Sequence, residues 1–77
     1  MPAVRMSHVE IAEDLAARIA AGEYQPGDRL PRTVDIAALY SCSTSTAYRA
    51  VSLLRFKGVV VGAQGKGVFV PTRTERE

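Results

Sequence analysis

Apolar residues recur along this chain at two different periods, and the change of period divides it. Ile11, Ala12, Leu15, Ala16 and Ile19 follow the three-and-four spacing that lays one stripe along a helix. Ser7-His8-Val9-Glu10, just before them, has the spacing of a capping box, in which Ser7 accepts from the amide of Glu10 and the Glu10 carboxylate reaches back to Ser7. A first helix is therefore predicted to start here, with Met6 and Ile11 placed to form a hydrophobic staple, and to stop at Gly22. Gln25-Pro26-Gly27-Asp28 reads as a type II turn, because proline fixes φ at its second position and glycine accepts a positive φ at its third. Arg29-Leu30-Pro31 follows as an extended segment, since a residue before proline is biased away from helix.

Thr33 to Tyr40 predicts a short second helix capped by Thr33, with Val34, Ala37 and Ala38 at helical spacing. Ser41-Cys42-Ser43 is too short a joint for anything but two crossing helices. Ser43 caps the third, whose apolar stripe is Ala47, Ala50, Val51 and Leu54 and whose other face carries Thr44, Ser45, Tyr48, Arg49, Ser52 and Arg55. Gly58 ends it, and from there the period shortens. Val59-Val60-Val61 and Val68-Phe69-Val70 are β-branched or aromatic runs on either side of a glycine-rich turn, Gly62 to Gly67, which together predict a β-hairpin. The fold class is mainly α with a small β-hairpin: a winged helix-turn-helix of three helices and a two-stranded wing. One domain is expected across residues 1–77, with the helix-turn-helix at 33–52, the wing at 59–70 and a frayed charged tail at 71–77.

Composition narrows the function. The chain has 47% hydrophobic and 23% charged residues and no apolar run near the roughly 18 residues of a membrane span, and Met1 to Met6 leads into a polar amphipathic segment, unlike a signal peptide. A cytoplasmic protein with no membrane partner is expected. A single cysteine, Cys42, and a single histidine, His8, exclude an internal disulfide and a zinc cluster, and no metal or cofactor is expected. Cys42 reads as a small core residue, His8 as a surface residue of the first turn, and Tyr24, Tyr40 and Phe56 as core or core-edge residues. No acid, base and nucleophile are grouped as catalysis requires, so an enzyme is not expected. Gly65-Lys66-Gly67 is not a phosphate-binding loop, because no serine or threonine follows the lysine and no helix begins there.

Charge is divided unevenly. Residues 1–28 carry two basic and five acidic side chains, a net of −3, whereas residues 29–73 carry seven basic side chains against Asp35, a net of +6. A basic stretch that coincides with a helix-turn-helix is the footprint of a nucleic-acid partner, although a solvated basic face has the same composition. The first turns of the third helix, Ser43, Thr44, Ser45, Thr46, Tyr48 and Arg49, have the character of a recognition helix. Gln64, Gly65, Lys66 and Gly67 give a thin loop whose backbone can approach another molecule closely. The alternative function is a winged-helix module that binds protein, which needs an exposed apolar patch for which the sequence offers few candidates.

The run Gly22-Glu23-Tyr24-Gln25-Pro26-Gly27-Asp28-Arg29-Leu30-Pro31 resembles the opening of GntR-family DNA-binding domains. Ile36-Ala37, Cys42-Ser43 and Thr46-Ala47 are similar to that family's central helix-turn-helix. Gly58-Val59-Val60, Gln64-Gly65-Lys66-Gly67 and Val68-Phe69-Val70 look like its helix-to-wing segment, so the resemblance covers about residues 8–70. It implies a bacterial transcriptional regulator, more often a repressor, that binds double-stranded operator DNA as a homodimer on a palindromic site. Recognition-helix side chains would enter the major groove and the wing tip the minor groove.

Departures from the family pattern bear on specificity. Arg32-Thr33-Val34 stands where the family usually has Ser-Glu-Arg, so the cap is moved or lost and Arg32 is placed to stand in for the customary arginine. Thr44 and Tyr48 replace two further arginines, leaving Arg49 as the long base-reading side chain of the first two turns. Family members carry a larger C-terminal domain for effector binding and dimerisation. No trace of it lies in these 77 residues, so the chain is expected to be either a piece of a longer regulator or a stand-alone one, with no effector site of its own.

Overall fold

The computed structural model describes residues 6–63 and 65–72. The first helix, α1, spans His8–Ala20 and begins with the expected capping box: the Glu10 amide donates to Ser7 Oγ at 3.2 Å and the Ser7 amide to Glu10 Oε1 at 2.8 Å. Ile11, Ala12 and Leu15 are buried, with Ala16 and Ile19 beside them at the edge of the core. Met6, expected to staple onto Ile11, is exposed. The helix closes with paired bonds from the Gly22 amide to the Ile19 carbonyl and from the Glu23 amide to the Arg18 carbonyl, the Schellman pattern that a left-handed residue permits.

The second helix, α2, spans Thr33–Tyr40 and differs from expectation in two ways. Its N-cap is Arg32, without a side-chain cap bond, and Thr33 is already helical. The extended backbone around Pro31 turns into the helix one residue too early for the Thr33 hydroxyl to cap it. Its buried face is also rotated. Ile36 and Ala37 enter the core while Val34, Ala38 and Leu39 stay exposed. Six of its eight residues are apolar, so periodicity could not select the face, and packing under α1 and the third helix selected the bulkier Ile36.

Ser41 joins the helices in the left-handed region, at φ 54° and ψ 45°, and lets the Cys42 amide donate back to the Ala37 carbonyl at 2.9 Å. The third helix, α3, then runs over Thr44–Phe56 and buries the whole predicted stripe of Ala47, Ala50, Val51 and Leu54. Cys42 is half-buried against the core, as are Tyr24 and Tyr40. Phe56 is not a core-edge residue: it is 89% exposed, because the last turn of α3 directs it away from the Leu54 side.

Both strands are shifted toward the turn relative to the valine runs, the first by two residues and the second by one. β1 is Val61–Ala63 and β2 is Gly67–Phe69, antiparallel, pairing Val61 with Phe69, Gly62 with Val68 and Ala63 with Gly67. The cause lies at the end of α3. There the Val59 amide donates to the Leu54 carbonyl at 2.9 Å over the left-handed Gly58, which swings Val60 into the core before pairing starts. Leu30 donates to Val68 at 2.7 Å and Val70 to Asp28 at 2.8 Å, so the extended segment after the Gln25–Asp28 turn lies along β2 as a third edge, with Arg29 bridged to Phe69. Of the tail expected to fray, Pro71 is buried and Thr72 half-buried, and residues 73–77 lie outside the described residues.

Ser41 carries a side chain where glycine is favoured. A left-handed non-glycine residue costs about 1–2 kcal/mol, against about 0.5–1 kcal/mol of extra chain entropy for glycine. Ser41→Gly is therefore expected to raise stability by about 0.5–1 kcal/mol. Urea unfolding should show a higher midpoint at unchanged slope, and a lower midpoint would contradict this reading of the joint.

Candidate nucleic-acid interface

The cap of α3 sorts its hydroxyl groups. Ser43 Oγ accepts from the Thr46 amide at 3.1 Å and donates to Thr46 Oγ1 at 3.0 Å, so Ser43 and Thr46 are engaged with each other at the helix start. Thr44, Ser45, Tyr48 and Arg49 are exposed, Tyr48 at 62%. Ser45, Tyr48, Ser52 and Arg55 fall at helical spacing on one face, and that face runs into the hairpin, where Ser52 and Arg55 line a hollow with Val60, Val61 and Gly62.

At the wing tip Gly65 and Lys66 are exposed, with the Lys66 amide closing the turn onto the Ala63 carbonyl at 2.9 Å. Gly67 is half-buried, and Gln64, named as a candidate contact, lies outside the described residues. Arg32 and Thr33 line a cleft with Arg29, Val51, Gly67 and Val68, which brings the start of α2 beside the second strand of the wing. Arg32 is largely exposed and sits 3.5 Å from Asp35, an ion pair that solvent leaves weak. Among the described residues no carboxylate pairs with Arg29, Arg49, Arg55, Lys57 or Lys66. The guanidinium of Arg55 lies against Gly62 and that of Arg29 against Gly67, two placements that sequence reasoning did not find. The tight glycines on the strands were the available signal, and they had been assigned to the turn.

On α1 the Asp14 carboxylate is engaged in a network of its own. Asp14 Oδ2 accepts from the Tyr40 hydroxyl and, at 2.9 Å, from Arg18 Nε, while Arg18 also reaches Glu23 at 3.3 Å and sits over the Tyr40 ring at 5.9 Å. Asp14 and Tyr40 are 26 residues apart in sequence, and the network ties the end of α2 to the middle of α1. The Tyr40 bond, then the Arg18 bond, hold the Asp14 carboxyl below its usual range, and the bond to Asp14 raises Arg18. Partial burial, reinforced by Asp14, pushes Tyr40 up to about 12.

Comparison with known proteins gives one consistent answer. The sequence profile of the bacterial regulatory proteins, gntR family, matches residues 8–70. The HTH-type transcriptional regulator YdcR of Escherichia coli K12 is 39% identical over 61 residues, which cover 79% of this chain and 13% of YdcR. The histidine utilization repressor of Klebsiella aerogenes is 31% identical over 61 residues, 79% of this chain and 25% of the repressor. The chain thus spans about a quarter or less of the length of these relatives. The crystal structure of the AraR DNA-binding domain in complex with an operator superposes with a TM-score of 0.77 at 22% identity, covering 91% of this chain and 87% of that one, so the fold is shared.

The Tyr40–Asp14 contact sets a pH dependence with a definite sign. Tyr40 is raised on folding, so its contribution is present in full below its ordinary value of 10 and is lost as pH climbs from there toward about 12. Asp14 is lowered on folding, so its contribution is lost as pH falls below the ordinary carboxylate range. Thermal melts of Tyr40→Phe should show a shallower loss of stability above pH 10 than the parent, and superimposable alkaline limbs would remove the network from the account.

Proposed function

We propose, from the premise that this chain belongs to the GntR family of bacterial regulatory proteins, that it is the duplex-DNA-reading domain of a transcriptional regulator. The single observation that carries the proposal is the exposed run of Thr44, Ser45, Tyr48 and Arg49 on α3, on a helix whose polar face leads into a glycine hairpin tipped by Lys66. A helix of this kind lies in the major groove, which displays a distinct donor and acceptor pattern for each base pair, and a thin hairpin fits the minor groove, whose pattern is degenerate.

Roles follow from placement. Arg49 donates to base edges, Thr44 and Ser45 reach bases or phosphates, and Tyr48 packs on a thymine methyl or donates to a phosphate. Arg32, Thr33, Gly65, Lys66 and Gly67 hold the DNA backbone on the α2 and wing sides. Ser43 and Thr46 act through the cap. Binding is to a palindromic operator as a homodimer, with repression as the outcome, a reading supported by the relative that is itself named a repressor. The domain works in the cytoplasm and catalyses no reaction. Among the described residues no helix is long and apolar enough to cross a membrane.

A second reading has an observation of its own. Val34 and Leu39 on α2 are each 52% exposed and Phe56 is 89% exposed, apolar surface that a protein-binding module would use. It is weaker, because these residues are single or paired on separate elements, whereas the cations without a carboxylate partner among the described residues lie from Arg29 onward.

Selection on random duplex DNA supplies the operator for three tests. With about five phosphate contacts the slope of log K against log salt should be roughly −4 to −5, and a flat response would exclude a phosphate-driven interaction. Arg49→Ala should cost about 1–3 kcal/mol on the operator and little on random duplex, whereas equal losses on both would reduce Arg49 to a positioning contact. Lys66→Ala should weaken both DNAs by similar factors. A change of sequence preference in that variant would contradict the wing assignment.

A further inference from the structure

The hairpin has a guanidinium seated on each of its faces. Directly paired residues of an antiparallel pair share a face and neighbours along a strand alternate, so Gly62 and Val68 lie on one face while Val61, Ala63, Gly67 and Phe69 lie on the other. Arg55, from the last turn of α3, lies against Gly62: a Cβ there would sit 2.8 Å from its Cζ and Nη2. Arg29 is bridged to Phe69 and so belongs to the opposite face, where a Cβ on Gly67 would sit 2.8 Å from its Nε. Both arginines are exposed, and neither has a carboxylate partner among the described residues.

We propose that Arg29 and Arg55 form a two-sided phosphate clamp on the wing, each guanidinium meeting one strand of a duplex whose minor groove the wing enters. The idea rests on the DNA-binding reading above and deepens it. A hairpin in the minor groove has one sugar–phosphate strand along each face, and a cation on each face meets both. Guanidinium is suited to this, being planar, permanently charged and able to present paired donors to phosphate. Glycine at 62 and 67 is what leaves room for the seats. Gly62 does not have a left-handed φ, so its lack of a side chain serves the close approach of Arg55 and not a turn.

Salt-dependent binding of a random-sequence duplex, read by fluorescence anisotropy, tests the clamp in the parent chain and in Arg29→Ala, Arg55→Ala, the double variant and Gly62→Ala. Each single arginine variant should reduce the salt slope by about 1 and the double variant by about 2. Between 50 and 200 mM salt each single variant should thus lose affinity about three- to fourfold less steeply than the parent. Gly62→Ala keeps both arginines and an ordinary backbone, but its Cβ displaces the Arg55 guanidinium from its seat, so its slope should fall from the parent's toward that of Arg55→Ala. Parent-like slopes in Arg29→Ala and Arg55→Ala, with unchanged circular dichroism, would overturn the clamp and leave DNA binding standing. A parent slope in Gly62→Ala alone would overturn the seat of Arg55. Absence of salt-dependent duplex binding by the parent itself would overturn both the clamp and the reading beneath it.

Discussion

The structure depends on how closely two helices can approach α3. Ala47 and Ala50 are completely buried on the stripe that α1 and α2 pack against, with Val51 and Leu54 continuing it. Alanine has no atoms beyond Cβ, so at these positions the neighbouring helices close directly onto the α3 backbone, and Leu15, Ile11 and Ile36 fill the space between. A larger side chain at either alanine would overpack a core with no slack and cost about 1–3 kcal/mol. This packing fixes the rotation of α3. Once the alanine stripe faces inward, Thr44, Ser45, Tyr48 and Arg49 face solvent.

Hydrogen-bonded helix ends carry that orientation outward. The Schellman closure at Gly58 aims the chain so that Val60 is buried and β1 starts at Val61, which sets the hairpin against the last turn of α3. The edge formed by Asp28 to Leu30 then pins β2 from its other side. Charge follows the same division. Asp14 and Glu23 share Arg18 as their cation, while the cations from Arg29 onward, Arg32 apart, stay unpaired among the described residues. The arginines usual in the family after Leu-Pro and early in the recognition helix are absent here, which is why the proposed reading assigns base contact to Arg49 and Tyr48 and backbone contact to the wing side.

Much of this was legible in the sequence because it is local. The capping box at Ser7, the turn at Gln25–Asp28, the Ser43 cap and the alanine stripe of α3 are each written within a few residues, and all are present. What failed depended on tertiary packing. The face of α2 could not be chosen from a segment apolar nearly all round, and packing buried Ile36 in place of Val34. The valine run at 59–61 carried strand propensity, but the geometry after Gly58 used Val60 for the core. Phe56 had the composition of a core residue and the wrong position on its helix. The Asp14–Tyr40 contact and the two arginine seats join distant segments, and no short motif encodes them.

The proposed DNA-facing surface joins the polar face of α3 to the wing. Chemical-shift mapping of the labelled protein titrated with a short duplex at low salt tests it most directly. Perturbed amides should cluster at residues 43–49 and 65–67, with Arg29 and Arg55 at the margin, while Glu10, Glu13 and Arg18 on α1 stay unmoved. Perturbations gathered instead around Val34, Leu39 and Phe56, with the first turns of α3 silent, would contradict it.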